Sequence, residues 1–181
     1  MATAAAALLA LLLQSQAQGL ASPAPAIGDP APALVVEDSD GRPLPPVDLT
    51  GHVTVVDFFA TWCQPCKLAH RDLAALAETF GGGVTFHFVD VGEGPEALRR
   101  FLAGWPPPKG ARVLLDRAGG NAQRWGQDRF PTTFLVDAGG VIRHVNRGWG
   151  DGYRARLARW LRAMLMAATA TAAPARAAPP R

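Results

Sequence analysis

Cysteine is nearly absent: two residues in a chain of 181 are too few for a disulfide-built scaffold or a four-cysteine zinc site. Long hydrophobic runs are missing too. The apolar stretch Ala4 to Leu13 (AAAALLALLL) falls short of the about 20 residues that a membrane-spanning helix needs. Charged side chains make up only 18% of the chain, and none occurs before Asp29. The net charge of +3 and the pI of 9.4 owe much to Arg176 and Arg181 in an Ala/Pro tail. The interior is close to neutral, which argues against a nucleic-acid binder held by phosphate contacts. What remains between the ends has the size of one domain.

The ends read separately from the core. Ala4 to Leu13 has the length of a signal-peptide apolar region, and the small residues of Gln14 to Ala21 offer a cleavage site, so residues 1–21 are expected to direct export. The alternatives are an uncleaved anchor or a disordered leader read from a wrongly chosen start codon. The missing basic residue at the start weakens the signal pattern. Residues 22–32 (SPAPAIGDPAP) read as a Pro/Ala linker. The domain is expected over 33–166, followed by a tail, 167–181, that begins as a helix continuation and loses order from Pro174.

Within the core, Val53 to Phe59 (VTVVDFF) is an apolar, β-branched and aromatic run, which predicts a central strand covered on both faces and interrupted only by Asp57. From Pro65 to Phe80 the apolar residues Leu68, Leu73, Leu76, Ala77 and Phe80 recur at helical spacing, and Gly81 to Gly83 end the helix. A strand over Val84 to Val91 and a short helix from Pro95 to Leu102 follow. The three prolines of Trp105 to Gly110 exclude regular structure. Arg112 to Leu115 reads as a strand and Gly119 to Trp125 as at most a short helix. Thr132–Asp137 and Val141–Val145 read as a hairpin around Ala138, Gly139 and Gly140. Asp151 is expected to cap a last helix with the stripe Leu157, Leu161 and Leu165, flanked by Tyr153, Trp160 and Met164. Its arginines, Arg154, Arg156, Arg159 and Arg162, form a solvated flank. Early crossovers and a late hairpin predict an α/β fold: a mixed sheet with helices on both faces.

Both cysteines stand at one strand-to-helix junction, in Trp62-Cys63-Gln64-Pro65-Cys66. That placement puts Cys63 at a helix start, where unpaired N–H groups and the helix dipole favour a thiolate. Cys66 lies one turn on, where it can close a disulfide or resolve a mixed one. A zinc site would have to recruit His52, His70, His87 or His144, none of them paired at metal-binding spacing. Haem attachment needs His after the second cysteine, and that position is Lys67. A structural disulfide would close too small a loop to constrain the unfolded chain much.

These motifs resemble the thioredoxin-like superfamily, and within it the exported TlpA/ResA-like thiol-disulfide oxidoreductases. The pieces are GDPAPAL at Gly28–Leu34, Asp40–Gly41, Leu49–Gly51, DFFATWCQPC at Asp57–Cys66, and FPTTFLVD at Phe130–Asp137 with Gly139 to Ile142. The resemblance implies a three-layer thioredoxin-like fold and exchange chemistry at Cys63 and Cys66, with no bound cofactor or metal. It implies a cis bond before Pro131, beside which an extended substrate chain can pair. It also implies that Asp57 is a buried acid relaying protons behind Cys66; read alone, a carboxylate in such a strand either points to an edge or is perturbed and functional. Trp62, Gln64, Pro65, Phe130 and Pro131 would then form the dock for protein substrates. A monomer is expected, and in an exported compartment without a soluble thioredoxin reductase a reducing member would draw its electrons from a membrane donor.

The sequence also departs from that branch. Ala69 and Arg71 replace a Glu and a Pro common in the helix, removing the main hint of cytochrome maturation. His70, beside Arg71 and Asp72, reads as a surface histidine, the alternative being that it tunes Cys66. The expected function is protein thiol-disulfide exchange in the reducing direction. Gln64 and Pro65 place no positive charge beside Cys63, and Asp57 opposes negative charge on the thiolates, with Lys67 acting weakly the other way. Two alternatives of another class are a copper(I) metallochaperone using both thiolates and a structural or binding module. A peroxidase would need Pro-x-x-x-Thr-x-x-Cys, which Phe59 to Cys66 does not contain.

Overall fold

The computed structural model describes residues 23–172. The expected signal peptide and the tail beyond position 172 lie outside them. The elements are β1 (Val53–Phe59), α1 (Gln64–Phe80), β2 (Val84–Val91), α2 (Pro95–Gly104), β3 (Arg112–Asp116), α3 (Gly120–Arg124), β4 (Thr132–Val136), β5 (Ile142–Arg147) and α4 (Tyr153–Ala172). They form one sheet in the order β3-β2-β1-β4-β5. The crossover helices make β1, β2 and β3 parallel, while β4 and β5 run antiparallel to their neighbours. This is the expected mixed α/β sheet, and β1 is its centre.

Period-two alternation sorts β1 between two cores. Val53, Val55 and Phe59 pack with Leu73 and Leu76 of α1, Leu98 of α2, and Leu157 and Leu161 of α4. Val56 and Phe58 pack on the opposite face with Trp125, Phe134 and the segment Leu34 to Leu49. That second layer is thin in helix. Trp125 fills it, its ring 5.6 Å from Phe58 and 4.9 Å from Phe134.

Several boundaries differ from the sequence reading. Residues 28–31, expected as linker, are tied to the hairpin: Gly28 N donates to Ile142 O, Ala31 N to Gly140 O, and Ile142 N to Asp29 O. Glu37 exchanges both backbone bonds with Leu115 on the opposite edge, so the N-terminal segment shields strand edges that would otherwise be open to pairing. Helix α4 continues past Met166 to Ala172, as the helical start of the tail led one to expect. It begins after Gly152 (φ +72°) rather than at Asp151, because glycine takes the left-handed turn into the helix at no steric cost. Leu68, expected in the core, is exposed, and Ala69 and His70 are buried instead. The buried stripe of α1 therefore runs through Cys66, Ala69, His70, Leu73, Leu76 and Ala77.

Candidate active site

Cys63 caps α1. Its backbone is extended (φ −76°, ψ 108°), its Sγ accepts from Cys66 N at 3.2 Å, and Pro65 occupies the first turn, where no N–H is needed. Cys63 and Cys66 are joined by a disulfide. Only Cys63 reaches the surface, at 4% exposure against 0% for Cys66. Cys63 is thus the more accessible of the two residues, while Cys66 is enclosed by the first turn. The turn before it is closed by Cys63 N donating to Ala60 O at 3.1 Å.

The residues expected to flank the pair fall into two groups. Trp62, Gln64 and Pro65 are exposed, with Trp62 the largest open apolar surface here at 68%. Its ring meets that of half-buried Phe130 edge-on at 5.7 Å. The Phe130–Pro131 bond is cis, Pro131 is buried, and Pro131 O accepts from Gly148 N at 2.7 Å. Lys67 is exposed, so its charge faces solvent.

Behind the cysteines lies a polar chain that crosses the core. Asp57 shares strand parity with Val55 and Phe59 and so faces α1. It is fully buried. Its Oδ1 accepts from Thr133 Oγ1 at 2.7 Å, and Thr133 Oγ1 lies 2.7 Å from the Tyr153 hydroxyl. Thr133 has one proton and gives it to Asp57, so Tyr153 is the donor to Thr133. Burial, and next the charge of Asp57, raise the Tyr153 pKa well above that of free tyrosine, which keeps this donor protonated. Asp57 Oδ2 stands 3.3 Å from His70 Nε2 but out of line for a hydrogen bond.

The placing of His70 corrects the surface reading. It is fully buried, one turn beyond Cys66, stacked on Trp105 at 4.3 Å, with Phe59 at 4.5 Å, Phe88 at 5.0 Å and Phe101 at 5.9 Å. Ring burial outweighs the pull of its charged neighbours because α2 and the proline loop bring Phe101 and Trp105 over it. Thr133, Tyr153, Glu93 and Thr61 carry no local signal in the sequence. Glu93 accepts from Thr61 N at 2.6 Å through Oε2 and from Thr61 Oγ1 at 2.7 Å through Oε1. The clamp falls two residues before Cys63.

A helix-capping Cys-x-x-Cys disulfide on this sheet defines a thiol-disulfide oxidoreductase of the thioredoxin-like class. The Redoxin family model matches residues 26–155. The thiol-disulfide oxidoreductase ResA of Bacillus subtilis is 31% identical over 122 residues, 67% of each chain. The thiol:disulfide interchange protein DsbE of Allochromatium vinosum is 31% identical over 147 residues, 76% of this chain and 79% of that one. Among solved structures, a thiol:disulfide interchange protein of the thioredoxin family from Chlorobium tepidum superposes with a TM-score of 0.61 at 26% identity, covering 78% of this chain and 99% of its own. The chain belongs to the Redoxin family, as a ResA-like protein of the thioredoxin superfamily.

Proposed function

We propose that the protein reduces disulfides in exported protein substrates, with Cys63 as nucleophile and Cys66 as resolving thiol. The observation that carries this reading is that Cys63, capping α1, keeps some exposure while Cys66 has none, with the buried carboxylate of Asp57 on the strand facing that helix. The Cys63 thiolate attacks a substrate disulfide, forms a mixed disulfide and releases one substrate sulfur, which takes up a proton. Cys66 then loses its proton, for which Asp57 Oδ2 is the acceptor, through water, and attacks Cys63 Sγ. The second substrate thiol leaves, and the electron pair given up by Cys63 and Cys66 now resides in the substrate. Exposed Trp62 with Gln64, Pro65, Phe130 and Pro131 forms the dock for the substrate chain.

Charge around the site supports the reducing direction. No cation is buried against Cys63 by the Gln64–Pro65 turn, Lys67 points to solvent, and Asp57 disfavours negative charge on the sulfurs, so a weakly stabilised thiolate makes a weak oxidant. Electrons would come from a membrane donor, with the chain exported by residues 1–21. No helix among the described residues is long and apolar enough to cross a membrane. Equilibration with glutathione buffers tests the direction: a potential nearer about −270 mV than about −120 mV is expected, and one above about −180 mV would overturn it.

A further inference from the structure

A second buried carboxyl lies at the same end of the sheet. Asp90, one residue before the end of β2, lies opposite Phe59 of β1 and Leu115 of β3 and is 0% exposed; neither of its oxygens has a well-aligned hydrogen-bond partner, and the Val91 N–H beside it only partly offsets the effects of burial and Glu93. The Glu93 carboxyl comes within hydrogen-bonding reach of it, while both Glu93 oxygens already accept from Thr61 in the turn leading to Cys63. Two adjoining carboxyls that no donor bridges are held together by sharing a proton. Glu93 is committed to accepting, so the proton belongs to Asp90.

We propose that protonated Asp90 donates to Glu93, and that this pair is a positioning device which holds the Thr61 turn, and with it Cys63, until Asp90 ionises. Its role in the reaction rests on the exchange function proposed above. Burial, and then Glu93, raise the Asp90 pKa to about 8. Few other charges reach this face. Helix α1 presents His70, over Phe88 and Phe59, and α1-facing Asp57 lies on β1. Helix α2 presents apolar Leu98, its Glu96, Arg99 and Arg100 being exposed. On β3, Asp116 is satisfied by Asn121 Nδ2 and Ala122 N. As pH rises through about 8 the pair acquires two negative charges, the carboxyls repel, and the clamp on Thr61 loosens.

The test needs the wild-type protein, Asp90→Asn, which keeps a donor to Glu93 but cannot ionise, and two readouts independent of turnover. Carbon NMR of the wild-type Asp90 carboxyl should titrate near pH 8. A midpoint below about 6 overturns the shared proton. The rate at which iodoacetamide alkylates reduced Cys63 reports the turn. Since the protonated fraction of Asp90 falls about tenfold one unit above its midpoint, the wild-type to Asp90→Asn rate ratio should change by up to about tenfold between about pH 7 and about pH 9. Superimposable profiles overturn the positioning role. Insulin reduction by wild type separates the two ideas: its absence overturns the exchange reading, while the titration still decides the carboxyl pair without any variant having to fold.

Discussion

Replacing Thr133 by Val tests the polar chain behind the cysteines most directly. The two side chains have nearly the same shape, so no cavity opens, but the hydroxyl linking Asp57 to Tyr153 is lost. Thr133 and Asp57 are 0% exposed and Tyr153 is 1% exposed, so water does not replace it. Two buried groups are orphaned, Asp57 Oδ1 and the Tyr153 hydroxyl, at about 1–3 kcal/mol each. The expected loss is therefore about 2–6 kcal/mol, a large share of the roughly 5–15 kcal/mol typical of a domain. Urea unfolding of the oxidised protein, followed by tryptophan fluorescence, measures it as a lower midpoint at unchanged slope. Thr133→Ser keeps the hydroxyl and should cost only about 1 kcal/mol for the missing methyl group. Adding Tyr153→Phe to Thr133→Val removes one orphaned group and should recover about 1 kcal/mol or more. A Thr133→Val loss under about 1 kcal/mol, or a double variant no more stable than Thr133→Val, would refute the hydrogen-bond assignment.

Cys63→Ser should abolish insulin reduction, whereas Cys66→Ser should accumulate mixed disulfides with substrate through Cys63, visible on non-reducing gels as thiol-sensitive adducts; retained activity in Cys63→Ser would be incompatible with the mechanism. Burial, and next Arg112 across the strand pair, lower the His87 pKa to about 4. The unfolded chain then binds a proton that the native state does not between about pH 6.5 and about pH 4, so stability falls with acid, by at most about 1.4 kcal/mol per pH unit. His87→Gln should flatten that limb, and an unchanged slope in urea titrations would count against it. Asp90, with its pKa raised to about 8, acts in the opposite sense, lowering stability as pH rises from about 4 to about 8. Asp90→Asn should therefore steepen the acid limb that His87 produces. A reporter fused after Pro32 should be active only outside the cytoplasm.

The local patterns of the sequence determine the elements, the mixed sheet and the cysteine pair at a helix start. Apolar residues at spacing two in Val53–Phe59 and near 3.6 in the helices encode which face of each element seeks a core, and the glycines and prolines encode where elements stop. Asp57 stood out for the same reason, as one carboxylate in an apolar strand. Tertiary structure decided what those polar groups meet. Thr133 reaches Asp57 across 76 positions and Glu93 reaches Thr61 across 32, distances at which no periodicity carries information. His70 shows the same limit. Its charged neighbours Arg71 and Asp72 suggested solvent, but its place four residues after Cys66 puts it on the buried stripe, and only the docking of α2 closes Trp105 and Phe101 over it. Burial preference is a property of one residue and its helical face, whereas a hydrogen bond or a shared proton is a property of two atoms brought together by register and docking.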